Sequence, residues 1–449
     1  LNGKLNLLQT DSPKWLTKRK TVNDMEPVQI IFILIYILTI LLSATKIVPL
    51  SVAAMIGALL TAFFGLMPSY EAFTYGDALG FIDMKLIFLL LGVMIVVEVA
   101  ERSGLFRFGA LYAVKVSRGN PNVLFVSVCV IAAAVSVFLS DPTAMLLIAA
   151  AMATITKLLR YDPVPYFISA MIMINLGGTS TLIGSVSNMI IGSKAGMSFT
   201  SFIGYLAVCE IALWAITIFV LYMIFKSRLG ERKELPNYDP WESVEDKKLF
   251  YRSIFILILL VVLFLTLENL GVGPEAVALG CAIVALAVSG ADPAEIFKKL
   301  DWETIFFIAG FMFVVGGLES TNLLEGLSIQ LFQSVGQSEL GASMATLWAS
   351  GLASTAVSNI AIALTFSPII GGVAGLNSAP VWSALVLGTN LGGATTPLSG
   401  SVTMMAIGAL KREGVSMSFT EFTKVGLITS LVQLGFASLY LIVRFNLWM

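Results

Sequence analysis

A polar tetrad interrupts a long apolar run twice in this chain, first as Ser140-Asp141-Pro142-Thr143 and 218 positions later as Ser358-Asn359-Ile360-Ala361. The same offset of 218 carries Asp83 onto Asp301 and Glu101 onto Glu319, and FIDMKLIFLLLGVMIVV aligns without a gap on KLDWETIFFIAGFMFVV. Whatever the first half folds into, the second half folds into as well. Two halves with matching interrupted hydrophobic segments point to a transporter that holds its substrate near the bilayer midplane.

Composition fixes the solvent. Hydrophobic residues make up 57% of the chain and charged residues 12%, against about 25% charged in soluble domains, and the mean hydropathy is +0.91. Such a chain lives in a lipid bilayer as a multi-pass integral protein, and the reading here is a prokaryotic cell (inner) membrane. A net charge of -1 gives no argument for nucleic acid. Cys129, Cys209 and Cys281 all lie inside apolar runs and form neither a disulfide framework nor a metal spacing. With no histidine in the chain, imidazole metal ligands and proton relays are absent, which leaves carboxylates, hydroxyls, amides and backbone to carry any site chemistry. No metal motif, nucleophile with a histidine base or nucleotide loop is present, so the chain reads as no enzyme and as holding no cofactor beyond a coupling ion.

Runs near 20 apolar residues can cross roughly 30 Å of hydrocarbon. They fall at about 28–45, 48–67, 85–101, 164–195 and 202–226, and again at about 251–269, 272–291, 302–319, 380–409 and 423–445. An odd count per half makes the repeats inverted: repeat 1 over 28–226 and repeat 2 over 251–449, joined by a charged linker at 227–250 and preceded by a polar tail at 1–27. The tail has no apolar core before a cleavage site and is not a leader, and Met25 is one candidate start. Segments 120–158 and 341–373 are apolar, then polar, then apolar, and read as re-entrant hairpins whose tips face the protein interior. Residues 104–118 and 322–337 read as interfacial helices. The basic residues, among them Arg102, Arg107, Lys298 and Lys299, gather on the face that holds the linker, whereas 320–342 and 372–380 hold none, which places the linker in the cytoplasm.

At each hairpin tip a half-helix begins, capped by Ser140 or Asp141 in the first copy and by Ser358 or Asn359 in the second, with Pro142 suited to the first helical position. Each start presents free amides and partial positive charge toward the midplane, where an anion would be drawn. A second pair of breaks lies in the fourth span of each half, NLGGTSTLIGSVSN from Asn175 to Asn188 and NLGGATTPLSGSVT from Asn390 to Thr403. The paired glycines Gly177-Gly178 and Gly392-Gly393 let the chain leave helical geometry. Thr179, Ser180, Thr181, Thr395 and Thr396 add oxygens suited to Na+. The candidate substrate contacts are therefore Ser140, Asp141, Thr143, Asn175, Thr179, Ser358, Asn359, Asn390 and Thr395. The candidate coupling-ion positions are Asp141, Gly178, Ser180, Thr181, Asn188, Gly393 and Thr396. Asp141 stands first because an intramembrane carboxylate is costly and its counterpart Asn359 is the neutral isostere. Glu210 is a secondary proton-carrier candidate. Glu98 and Glu101 read as partners of Arg102, and Asp83 and Asp301 as helix caps.

On these motifs the chain resembles the ion transporter superfamily, most closely the ArsB/NhaD permeases (arsenite permease and P protein-like) and more distantly the dicarboxylate/sodium symporters. The family element D-N-x-x-x-x-M-L-x-x-x-P is similar to SDPTAMLLIA at 140–149 and SNIAIALTFSP at 358–368, and N-I-G-G-x-x-T-x-I-G-D-P-P-N is similar to Asn175 through Asn188. Where many relatives carry G-D-P-P-N, this chain has Gly184-Ser185-Val186-Ser187-Asn188 and lacks the acidic group. The resemblance implies an elevator-type mechanism and a homodimer. The resulting expectation is an all-α secondary active transporter of inverted repeats, in which a bundle of both hairpins and both broken spans moves against the remaining helices. It carries a small anion or oxyanion-like solute, of the arsenite or carboxylate class, with H+ or Na+ coupling. A Na+/H+ antiporter and a passive anion channel stay open on the same scaffold.

Overall fold

The computed structural model describes residues 26–45, 47–139, 141–234, 239–335, 338–372, 375–396 and 417–447. Ser140, most of the tail and the second part of the second broken span lie outside the described residues, as do the side chains of Asp141 and Pro142. Among the described residues every regular element is helical. In chain order they are α1 (Pro27–Thr45), α2 (Leu50–Gly65), α3 (Tyr75–Gly80), α4 (Met84–Arg102), α5 (Leu105–Ser117), α6 (Pro121–Ser136), α7 (Asp141–Leu159), α8 (Pro163–Thr179), α9 (Val186–Ala195) and α10 (Phe199–Phe225). The second half continues with α11 (Lys247–Leu267), α12 (Pro274–Ser289), α13 (Pro293–Lys299), α14 (Trp302–Ser320), α15 (Leu323–Ser334), α16 (Glu339–Ser354), α17 (Asn359–Gly371), α18 (Ala379–Gly393) and α19 (Phe419–Arg444).

Helix starts follow local chemistry. Asp83 accepts from the amides of Lys85 and Leu86 to open α4, and Asp301 accepts from the Thr304 amide to open α14. Asn120 with Pro121, and Asp162 with Pro163, pair a side-chain cap with a proline at the first helical position. Six helices among the described residues are long and apolar enough to cross a membrane alone, fewer than the ten crossings expected from the sequence. The physical reason is geometric. The α2 and α12 helices have 16 residues each, about 24 Å at 1.5 Å per residue, and the fourth span of each half is not one helix. The 164–195 stretch is split into α8 and α9, and α18 stops at Gly393.

Two packing groups emerge. In the first, α4 lies on α12 and α14 lies on α2, with α1 and α11 alongside. Glycine makes both seams close: a Cβ on Gly92 would stand 2.6 Å from the Ala278 backbone, and one on Gly310 would stand 2.9 Å from that of Ala54. In the second group α6 packs on α8 and α16 on α18, and α17 packs on α9 and α18. The long helices α10 and α19 pack on each other and on α8 and α18 respectively, and α10 also touches α11, so by contact they lie mainly with this second group, the bundle, although by sequence alone they count with the remaining helices. They are single apolar crossings whose hydropathy resembles that of scaffold helices. Only their contacts separate them.

Candidate functional site

A cavity of about 140 Å³ lies where the two groups meet. From the bundle it is lined by Phe138 and Thr143 of the first hairpin, Gly184 and Ser185 of the first break, and Asn359 and Ile360 of the second hairpin. The scaffold side is α4, through Met94, Val97, Glu98 and Glu101, closed by Lys299 and by Asp301 and Thr304 at the start of α14. The amino ends of α7, α9 and α17 therefore face one space. Sequence reasoning foresaw the first and third of these and missed the α9 start. Neither Ser185 nor Ser358 caps its helix with a side-chain hydrogen bond. At α17 the Asn359 side-chain oxygen Oδ1 accepts from the Ile360 amide at 2.9 Å, so of the two expected capping residues, Ser358 and Asn359, only the asparagine makes a side-chain contact at the helix start. The positive ends of helix dipoles are ready partners for an anion.

The remaining predicted residues divide. Asn188, fully buried, donates its amide to the carbonyls of Gly178 (3.0 Å), Thr179 (3.4 Å) and Thr181 (2.8 Å). The Gly178 carbonyl is among those the sequence offered to a ligand, and here it accepts from an amide of the same chain. Asn390 donates to the Asn188 side-chain oxygen at 2.8 Å and accepts from Ser187 at 3.0 Å, joining the two broken spans through one polar knot. Neither asparagine lines the cavity. The hydroxyls tie loops to backbone in matched pairs: Thr181 donates to Val137 O at 3.1 Å and Thr396 to Thr355 O at 2.6 Å, each fastening a break to the adjacent hairpin tip. Thr179 donates to Asn175 O at 3.1 Å, Thr395 pairs with Ser430 at 2.8 Å, and Ser180 accepts from Trp214 at 3.1 Å.

The two glycines of the second pair are not equivalent. A Cβ on Gly177 would run into the backbone of Ala133, and one on Gly392 into that of Gly351, so the first glycine of each pair brings a broken span against its hairpin. A Cβ on Gly393 would instead stand 3.3 Å from Asn175 Nδ2 and 3.5 Å from Ser354 Oγ, among side chains and not backbone.

Glu98 pairs with Lys299 at 3.1 Å, while Arg102 pairs with Glu295 at 2.9 Å. The sequence-based pairing with Arg102 is thus corrected: Arg102 reaches across to α13. The scaffold side of the cavity was not foreseen, because nothing in the local sequence brings α4 to α13. At the opposite end of α4 the bundle touches the scaffold directly. Ser193 donates to Asp83 at 2.6 Å, and Lys194 pairs with Glu319 at 3.2 Å.

A duplicated helical membrane protein with broken spans and a cavity at the boundary between two packing groups is a secondary transporter by construction, and comparison with known proteins places it more closely. The citrate transporter family profile matches residues 34–388: the chain belongs to that family. It is 28% identical over 424 residues to an uncharacterized transporter of Mycobacterium tuberculosis, covering 93% of this chain and 98% of the other. It is 29% identical to the 46 kDa membrane protein of Mycobacterium leprae, covering 93% and 99%, and 24% identical to the P protein of Sus scrofa, covering 89% and 57%. Its fold is similar to those of the YdaH transporter of Alcanivorax borkumensis (TM-score 0.61, 14% identity, covering 93% of this chain and 98% of that one) and MtrF of Neisseria gonorrhoeae (TM-score 0.60, 15% identity, 94% and 95%). The expected superfamily, transporter class and multi-pass membrane location hold, and the mycobacterial and cyanobacterial relatives place it with prokaryotic cell-membrane transporters.

Proposed function

We propose that the chain is a coupled carrier for a small carboxylate anion, with citrate as the first substrate to test. The observation that carries this reading is the convergence of three helix amino ends, those of α7, α9 and α17, on one cavity between bundle and scaffold. The aligned peptide dipoles of these helix starts favour negative charge. Ser185, standing where many resembling permeases have aspartate, leaves the α9 start without a built-in carboxylate to compete with the substrate's own. The family description supports citrate over arsenite.

An elevator-type cycle with inverted repeats is the motion this arrangement supports. The cavity wall is part bundle and part scaffold, Lys299 stands 60% exposed at one end, and at the far end Ser193 and Lys194 of the bundle are joined to Asp83 and Glu319 of the scaffold. By the bias of basic residues the Lys299 end is cytoplasmic. Sliding the bundle would exchange which end is joined. Coupling is by H+ or Na+ with Asp141, at the start of α7, as the first residue to examine, and the assembly is a homodimer through the scaffold.

Uptake of radiolabelled citrate, succinate and arsenite into proteoliposomes under imposed H+ or Na+ gradients tests this. Citrate accumulation driven by one gradient is expected, with Asp141→Asn inserting normally but no longer accumulating. Equilibration without accumulation would make the protein a channel. Na+-driven alkalinisation with no anion uptake would make it an antiporter.

A further inference from the structure

Glu210 lies midway along α10, 2% exposed, and neither of its carboxyl oxygens has a hydrogen-bond partner. Its repeat counterpart is Ser430 on α19, 220 positions on. Ser430 holds the second broken span: it donates to Leu391 O at 2.9 Å and pairs with Thr395 at 2.8 Å. In the first repeat the same register carries a carboxyl with no such bond, and one helical turn along the same face Trp214 donates to Ser180 in the first unwound turn at 3.1 Å.

Among the described residues, no group packed around Glu210 is paired with it as a counter-charge. Cys209 is its chain neighbour. On α19, Tyr440 donates to Tyr205 O, and Arg444, farther along, is directed at Gly204 O. The titratable residues of α8 and α6 are Tyr166 and Cys129. The cations of α11, Lys247, Lys248 and Arg252, sit at the end away from its Phe264–Phe199 contact with α10. An ionised carboxylate enclosed without a donor or cation is strongly disfavoured, and in a membrane helix such a residue is by default functional.

We infer that Glu210 is a proton-binding site whose occupancy is linked to the packing of α10 on the first broken span, which makes H+ the coupling ion. This rests on the carrier reading above. With its proton, the carboxyl is neutral and the seam closes as seen here. Without it, the seam must admit water, and the Trp214–Ser180 tie to the first unwound turn loosens with it. A serine at this register, as in the second repeat, has no such dependence.

The test uses the full reconstituted chain. Dicyclohexylcarbodiimide, which attacks protonated carboxyls in apolar surroundings, should label Glu210 as located by mass spectrometry, less so as pH rises, and substrate-free liposomes suffice for this arm. Glu210→Gln and Glu210→Ser should still exchange citrate, yet lose gradient-driven accumulation by about tenfold or more, the size of an ordinary coupling between two sites. No label at Glu210 at any pH overturns the inference without recourse to a variant. Unchanged response to a pH gradient in the glutamine variant overturns it equally. If the wild type moves no carboxylate at all, the substrate reading fails while the labelling arm still decides the fate of Glu210.

Discussion

The scaffold seams and the bundle seams solve the same problem, two helices in close contact within lipid, by different chemistry. At α4 on α12 and α14 on α2 the contact is glycine against alanine, with apolar side chains around it. In the bundle, by contrast, the seams are threaded with amides and hydroxyls that reach across: Asn188 to three carbonyls, Asn390 to Asn188, Thr181 and Thr396 to the hairpin tips. Apolar seams hold position by shape alone and can serve as a fixed frame. Polar seams fix the unwound turns, whose backbone groups have no helical partner of their own, beside the cavity between the two groups.

The sharpest way to break this contrast is at the glycine pairs, which belong to both kinds of seam. Gly177→Val and Gly392→Val place a side chain into backbone, so each is expected to abolish folded, detergent-stable protein, read as loss of a monodisperse peak on size exclusion. Gly393→Val meets side chains instead and should give a folded protein that has lost citrate uptake. Equal behaviour of the three would dissolve the distinction. A smaller effect is expected at the knot: Asn188→Ala leaves three buried carbonyls without their donor and should destabilise by about 1–3 kcal/mol. Ser253→Ala, which deletes a buried, unpartnered scaffold hydroxyl, should leave the melting temperature unchanged or raise it. Small as well is the effect expected at the far-end ion pair between Lys194 and Glu319, both 40% or more exposed. Lys194→Ala should cost about 1 kcal/mol or less and show itself chiefly as faster labelling of a cysteine introduced at Met189, which lines the cavity, by an extracytoplasmic thiol reagent. Slower labelling would mean that the pair favours opening at that end.

Much of the frame was legible because lipid enforces it. Apolar runs, a polar break in each hairpin and a paired glycine in each broken span are local signals, and the structure places helix ends at Asp141, Thr179, Asn359 and Gly393 accordingly. What the sequence could not supply was choice of partner. Glu98 has Arg102 four residues away and pairs with Lys299; Ser358 and Asn359 both read as caps and only Asn359 makes the contact; Asn188 reads as a ligand and donates its amide to its own loop. Each case turns on which helix arrives from elsewhere in the chain, and α10 and α19 changed groups for the same reason. The α9 start was the one miss with a readable signal. Ser185 followed by a short apolar helix is a third amino end in the same segment as the first break.

The two 16-residue helices carry a consequence for the surrounding lipid. At about 24 Å, α2 and α12 fall several ångströms short of a hydrocarbon core of roughly 30 Å, and they present Leu59, Phe63 and Ile283 outward, 57% exposed or more. Bilayer must thin locally to meet them. If the proposed sliding of the bundle holds, the barrier it crosses is narrower than the membrane at large, and turnover is expected to depend on acyl-chain length.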